Sequence, residues 1–140
     1  MVKKKIMIID DDTEFLKELT ENLKLSGYDA RPVTNGTYAV QLMEEIKPDV
    51  IILDLKMDGK NGFQVADELR DPVGLEKIPI IAMTGFYTGE ELNSLIRILG
   101  INTCLQKPFE TSEILARISE ALRKKKKRKT KYSKRKKRDI

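Results

Sequence analysis

The chain has no histidine, no tryptophan and a single cysteine, Cys104, among its 140 residues. Without histidine no Ser-His-Asp site can be built, and the chain cannot carry a phosphoryl group on an imidazole. One cysteine allows no internal disulfide and, with no histidine, argues against a zinc site. It also agrees with a reducing compartment. No apolar run approaches the roughly 20 residues that a membrane span needs. The apolar run 6–9, which follows the basic start Met1-Val2-Lys3-Lys4-Lys5, stops at an acidic cluster and is too short for the core of a signal peptide. A cytoplasmic location without membrane attachment is therefore expected. No glycine-rich loop follows the first apolar run and no Walker-type motif occurs, which argues against nucleotide binding. Asn35-Gly36-Thr37 has the form of a glycosylation sequon but reads here as a turn.

Charge is divided sharply along the chain. The formal net charge is +5. Residues 1–122 carry 14 Lys/Arg against 21 Asp/Glu, whereas residues 123–140 carry 13 Lys/Arg and one acid. An acidic unit of about one domain's length thus precedes a strongly basic tail. Apart from Tyr132 and Ile140 the tail is almost devoid of apolar residues, so it cannot bury a core. The expectation is a folded unit over 1–122 and a basic tail over 123–140, disordered beyond residue 128.

Within 1–122 the hydrophobic period alternates regularly. Short apolar runs read as strands at 5–9, 28–33, 49–53, 78–83 and 101–106. Amphipathic stretches read as helices at 13–26, 36–46, 61–70, 90–99 and 110–122. Near-continuous apolar strands separated by amphipathic helices predict an α/β fold. Its form is a doubly wound, five-stranded parallel sheet with helices on both faces, of the flavodoxin-like type. Ligands of such sheets bind outside the carboxyl ends of the strands.

Polar residues fall where that rule puts a site. Asp10-Asp11-Asp12 closes the first strand and Asp54 the third. Thr84 and Lys107 close the fourth and fifth. Converging carboxylates repel one another and call for a hard cation. A hydroxyl and an ammonium at matching positions suit the oxygens of a phosphoryl group.

These residues resemble the receiver domain of two-component response regulators (CheY-like). The acidic pair matches Asp10 and Asp11. The phosphoacceptor matches Asp54, within Asp54-Leu55-Lys56-Met57-Asp58-Gly59-Lys60-Asn61-Gly62. The hydroxyl matches Thr84 in Met83-Thr84-Gly85, and the lysine matches Lys107 in Lys107-Pro108-Phe109. The resemblance implies that a sensor histidine kinase offers a phosphoryl group to Asp54 in a Mg²⁺-dependent phosphorelay. It also implies that the protein catalyses only its own phosphorylation and dephosphorylation. Asp11 and Asp54 would ligate Mg²⁺ directly, Asp10 through water, and the Lys56 backbone carbonyl would add an oxygen. Lys107 would pair with Asp54 and then with the phosphoryl group, and Thr84 would hydrogen-bond that group. A cis Lys107-Pro108 bond is implied as well. The output would be a switch on the face of the fourth helix, fifth strand and fifth helix, which meets a downstream protein target. A homodimer is left open.

The chain departs from the family pattern at three places. Cys104 stands where many receivers carry the aromatic residue that swings inward. It reads as a small buried hydrophobe, and the switch would then be muted or relayed through Phe86 or Tyr87. Asp58 replaces a common proline, and Lys56 and Phe86 occupy positions that influence hydrolysis. Two alternatives remain. A haloacid dehalogenase-type phosphatase would use Asp10 as nucleophile with Asp12 as second acid, but leaves Asp54 unexplained. A receiver whose basic tail binds nucleic acid or another polyanion as its output is the other.

Overall fold

The computed structural model describes residues 2–57, 60–70, 78–85 and 89–138, with 128–138 described by backbone alone. Five strands alternate with five helices: β1 Lys5–Ile9, α1 Thr13–Leu25, β2 Asp29–Val33, α2 Ala39–Ile46, β3 Val50–Asp54, α3 Gly62–Arg70, β4 Ile80–Thr84, α4 Glu90–Ile98, β5 Thr103–Gln106 and α5 Thr111–Arg138. A 3₁₀ turn over Gly36–Tyr38 precedes α2. Asn35 caps that turn by accepting from the Thr37 N–H at 2.7 Å, which explains the polar sequon as a turn.

The sheet is parallel throughout, in the order β2-β1-β3-β4-β5. Side chains alternate across it, because successive strand residues point to opposite faces. Ile6, Ile8, Val50, Ile52, Ile81 and Met83 face the layer of α1 and α5, where Leu16, Leu19, Leu23, Ile114 and Ile118 meet them. Met7, Ile9, Ile51, Leu53 and Ala82 face α2, α3 and α4 through Met43, Val65, Leu69 and Leu92. Both faces are covered, so the strands are apolar along their length.

Connections fix where a ligand can enter. From β1 the chain moves outward to β2, then returns past β1 to β3. The order reverses between β1 and β3, which makes their carboxyl ends the switch point of the sheet. Ile9 pairs with Leu53 in that ladder, so the residues that follow them, Asp10 and Asp54, emerge side by side.

The tail departs from expectation. Disorder was expected beyond residue 128, but the backbone of α5 is helical to Arg138. Lys and Arg are good helix formers, and cations suit the carboxyl end of a helix dipole. Near the exit from the domain, Lys124 and Glu120 form an i,i+4 ion pair at 3.4 Å, which supports the continuation.

Candidate functional site

The site is built from strand ends. β1 delivers Asp10, which is fully buried. The Asp10 Oδ1 atom accepts from the Asp12 N–H at 2.9 Å, so the chain turns tightly into α1. Asp12 itself caps α1, its Oδ1 accepting from the Phe15 N–H at 3.2 Å. An acid at that terminus relieves an unpaired N–H and suits the helix dipole. Asp12 is thereby taken up as a helix cap.

β3 delivers Asp54, only 5 % exposed. Its Oδ1 accepts from the Lys56 N–H at 3.3 Å. Carboxylate oxygens of Asp10, Asp11 and Asp54 all lie within 4.8 Å of one another. Asp11 is partly exposed and forms the side open to solvent. Burial, followed by the charge of Asp10, pushes the Asp54 carboxyl up to about 6, while Lys107 and the Lys56 N–H pull it down. An all-oxygen, all-carboxylate donor set of this kind fits a hard divalent cation.

β4 ends in Thr84, which is buried beside the Asp54 strand end, since Asp54 pairs with Met83. The Lys107 N–H donates to the Thr84 carbonyl at 2.7 Å, which ties the end of β5 to that of β4. The Lys107 ammonium then reaches across the site to Asp10 Oδ2 at 2.7 Å and Asp54 Oδ2 at 3.6 Å. The Lys107-Pro108 bond is cis, as the resemblance implied. Asp10, Asp11, Asp54, Thr84 and Lys107 are thus brought to one edge of the sheet. The Lys56 backbone follows Asp54 directly. Asp58, Phe86 and Tyr87 lie outside the described residues.

Two neighbours of the site were not singled out from the sequence. The Lys107 ammonium sits 4.1 Å from the centroid of the Phe15 ring. Phe15 in turn meets Phe109 edge to face, with centroids 5.9 Å apart and rings at 88°. From the sequence, Phe15 is one residue of the helix read at 13–26. Its position one turn after the acidic cluster was the available signal. The other is Gly62, where a Cβ would lie 2.2 Å from the Asp54 carbonyl oxygen. The loop after Asp54 returns so closely that only glycine fits.

Residues 6–119 match the family pattern described as the response regulator receiver domain. The chain belongs to the response regulator receiver domain family. Among solved structures, a putative response regulator from Chloroflexus aurantiacus is 26% identical, with a TM-score of 0.78. That match covers 86% of this chain and 98% of that one. The chemotaxis protein CheY4 of Vibrio cholerae is 24% identical with a TM-score of 0.81, covering 86% of this chain and 100% of that one. A CheY-like receiver domain protein from Methanospirillum hungatei is 24% identical with a TM-score of 0.80, covering 91% and 99% respectively. As a receiver, the protein takes part in two-component phosphorelay signalling, between a histidine kinase and a downstream target. No helix among the described residues is long and apolar enough to cross a membrane.

The phosphatase alternative fares poorly against this geometry. It requires Asp12 beside Asp10 as a working acid, and Asp12 is the cap of α1. It also leaves Asp54, drawn into the same pocket as Asp10, without a task.

Proposed function

We propose that Asp54 accepts a phosphoryl group from the phosphohistidine of a sensor histidine kinase. In this reading residues 1–122 are the receiver and 123–140 a basic extension, and the protein works in the cytoplasm. The observation that carries it is the single pocket in which the Asp10, Asp11 and Asp54 oxygens converge while Lys107 spans Asp10 and Asp54.

The residues divide the work. An Asp54 carboxylate oxygen attacks phosphorus as the phosphorus–nitrogen bond of the donor breaks, and the imidazole leaves with the electron pair. Asp11 and Asp54 would hold Mg²⁺ directly, Asp10 through water, and the Lys56 carbonyl would complete the protein's share. When bound, Mg²⁺ offsets the crowding of carboxylates and the charge of the incoming phosphoryl group. Lys107 exchanges its contact with Asp54 for one with the phosphoryl group. Thr84 turns its hydroxyl to the same group. Those two contacts bias the surface of α4, β5 and α5 toward the form that a downstream protein recognises.

Cys104 sits on β5, half-buried, and burial pushes its thiol up. A thiol held in that form is a packing residue rather than a nucleophile. It is too small to swing as an aromatic ring would, so the switch should be relayed with little movement of β5.

Incubation with acetyl phosphate and Mg²⁺ tests the proposal. Intact mass should rise by one phosphoryl group, removable with hydroxylamine, and Asp54→Asn should show no gain. Full labelling of Asp54→Asn, or labelling unaffected by chelation of Mg²⁺, would overturn it.

A further inference from the structure

The two ends of the sheet carry opposite charge. At the carboxyl end stand Asp10, Asp11, Asp12 and Asp54. At the amino end, Lys3, Lys5, Lys24 and Tyr28 line a recess of about 420 Å³ together with Val2 and Asp29. α5 joins this basic end. Lys125 Nζ lies 4.0 Å from Asp49 Oδ1, and Asp49 Oδ2 accepts from the Lys5 N–H at 2.8 Å. Asp49 immediately precedes β3, whose five residues separate it from the phosphoacceptor end by about 16 Å. The helix therefore leaves the domain at the pole opposite Asp54.

We propose that this basic pole, made of the α5 extension from Arg123 to Arg138 with Lys3, Lys5 and Lys24 at its base, is a docking surface for double-stranded DNA. Charge density favours that partner. Thirteen of the residues from 123 to 138 are Lys or Arg. At 1.5 Å per residue that stretch is about 24 Å long, or about one cation per 1.8 Å. Duplex DNA carries one negative charge per about 1.7 Å of its axis. The distribution favours DNA as well. A 3.6-residue period puts Lys/Arg positions on every side of the helix. A planar anionic membrane would use one side, and insertion needs an apolar face, which a stretch with Tyr132 as its single large apolar residue lacks. The major groove of B-DNA admits an α-helix and lines it with phosphates on both sides. The major groove of duplex RNA is too narrow for this.

A charged but merely solvated extension is the simplest rival. Like charges at i,i+4 spacing oppose a helix. The backbone is nevertheless helical to Arg138. A polyanion removes that opposition, so helix stability and DNA binding are linked. Binding is through phosphates, with little choice of sequence and a strong dependence on salt. This inference does not rest on the phosphorylation chemistry, and Asp54→Asn should bind DNA as the natural sequence does.

The test uses the full chain and a fluorescein-labelled DNA duplex, with anisotropy followed against salt. The expected result is a log–log slope of about −4.5 or steeper, corresponding to about five or more phosphates neutralised. Changing Lys126, Lys127, Lys129 and Lys131 together to Gln should weaken binding at least tenfold. Lys3→Gln with Lys24→Gln should weaken it about twofold or more, with the far-ultraviolet circular dichroism of the domain unchanged in each variant. The helical far-ultraviolet signal of the full chain should persist to higher temperature with DNA bound. An unchanged affinity in the four-lysine variant would overturn the proposal. So would a slope near zero, or equal or tighter binding to duplex RNA or to vesicles containing phosphatidylserine.

Discussion

The Lys107 ammonium is 2.7 Å from Asp10 Oδ2 but 3.6 Å from Asp54 Oδ2, so its closer ionic partner is the fully buried acid of β1, not the proposed phosphoacceptor. A buried carboxylate needs a partner, because an unpaired buried charge is expensive. Asp10 holds the lysine in place and, by its own charge, helps to keep Asp54 up. Asp10→Asn should remove that repulsion and let Lys107 turn to Asp54. The midpoint of Asp54 in metal-free protein, followed by the carboxyl carbon resonance, should fall below about 6. An unchanged or raised midpoint would show that the carboxylates are not coupled.

Metal affinity should depend on pH with a definite sign. Protons compete for the Asp54 carboxylate below about 6, so Mg²⁺ affinity should rise between pH 5 and pH 7 and level off above that range. Stability of the metal-free protein has the opposite slope. Asp54 is raised from 3.8 to about 6, so the folded state binds more protons than the unfolded chain between those values. Its contribution is most favourable below 3.8 and is lost as pH rises through about 6. The melting temperature of the natural sequence minus that of Asp54→Asn should therefore fall over this interval. Saturating Mg²⁺ should reverse the trend.

Phe15 should act through Lys107. A cation over a ring is worth about 0.5–2 kcal/mol, depending on desolvation. Phe15→Leu keeps an apolar side chain but removes the ring face, and should slow phosphorylation by acetyl phosphate several-fold. In a Lys107→Met background the same substitution should have little further effect. A full additive loss in the double variant would make Phe15 a packing residue with no hold on the ammonium.

Gly62→Ala tests the close return of the loop over Asp54. Its Cβ would meet backbone atoms of Asp54 and Leu55 at 2.2 and 2.4 Å, which cannot move aside as a flexible side chain would. Overpacking of this kind costs about 1–3 kcal/mol or more. The urea midpoint should fall accordingly, and Mg²⁺ affinity with it. Natural stability in Gly62→Ala would mean that the loop has room.

Much of this arrangement was legible from residue order. Apolar runs ending in Asp10, Asp54, Thr84 and Lys107 located the four strand ends, and parallel pairing brought them together. Boundaries moved by one to three residues, most at α2, where a 3₁₀ turn over Gly36–Tyr38 precedes the helix that starts at Ala39. Contacts set by tertiary packing were not legible. Phe15 lies in the apolar stripe of α1, and nothing in that stripe says that Lys107 will rest on its ring. Residue order gives no sign of the constraint at Gly62, because the approach of the Asp54 carbonyl is a three-dimensional fact. Beyond residue 128, repulsion among Lys and Arg argues for disorder, whereas their helix propensity suits the helical backbone that α5 takes to Arg138.

The position of the phosphoryl group decides whether Asp54 is the acceptor. Reduction with borohydride after treatment with acetyl phosphate and Mg²⁺ converts an aspartyl phosphate to homoserine, which peptide mass spectrometry can place. Homoserine at position 54, and not at position 10, 11 or 12, is the predicted result. Homoserine at position 10 with none at 54, or none anywhere while Mg²⁺ is bound, would contradict it.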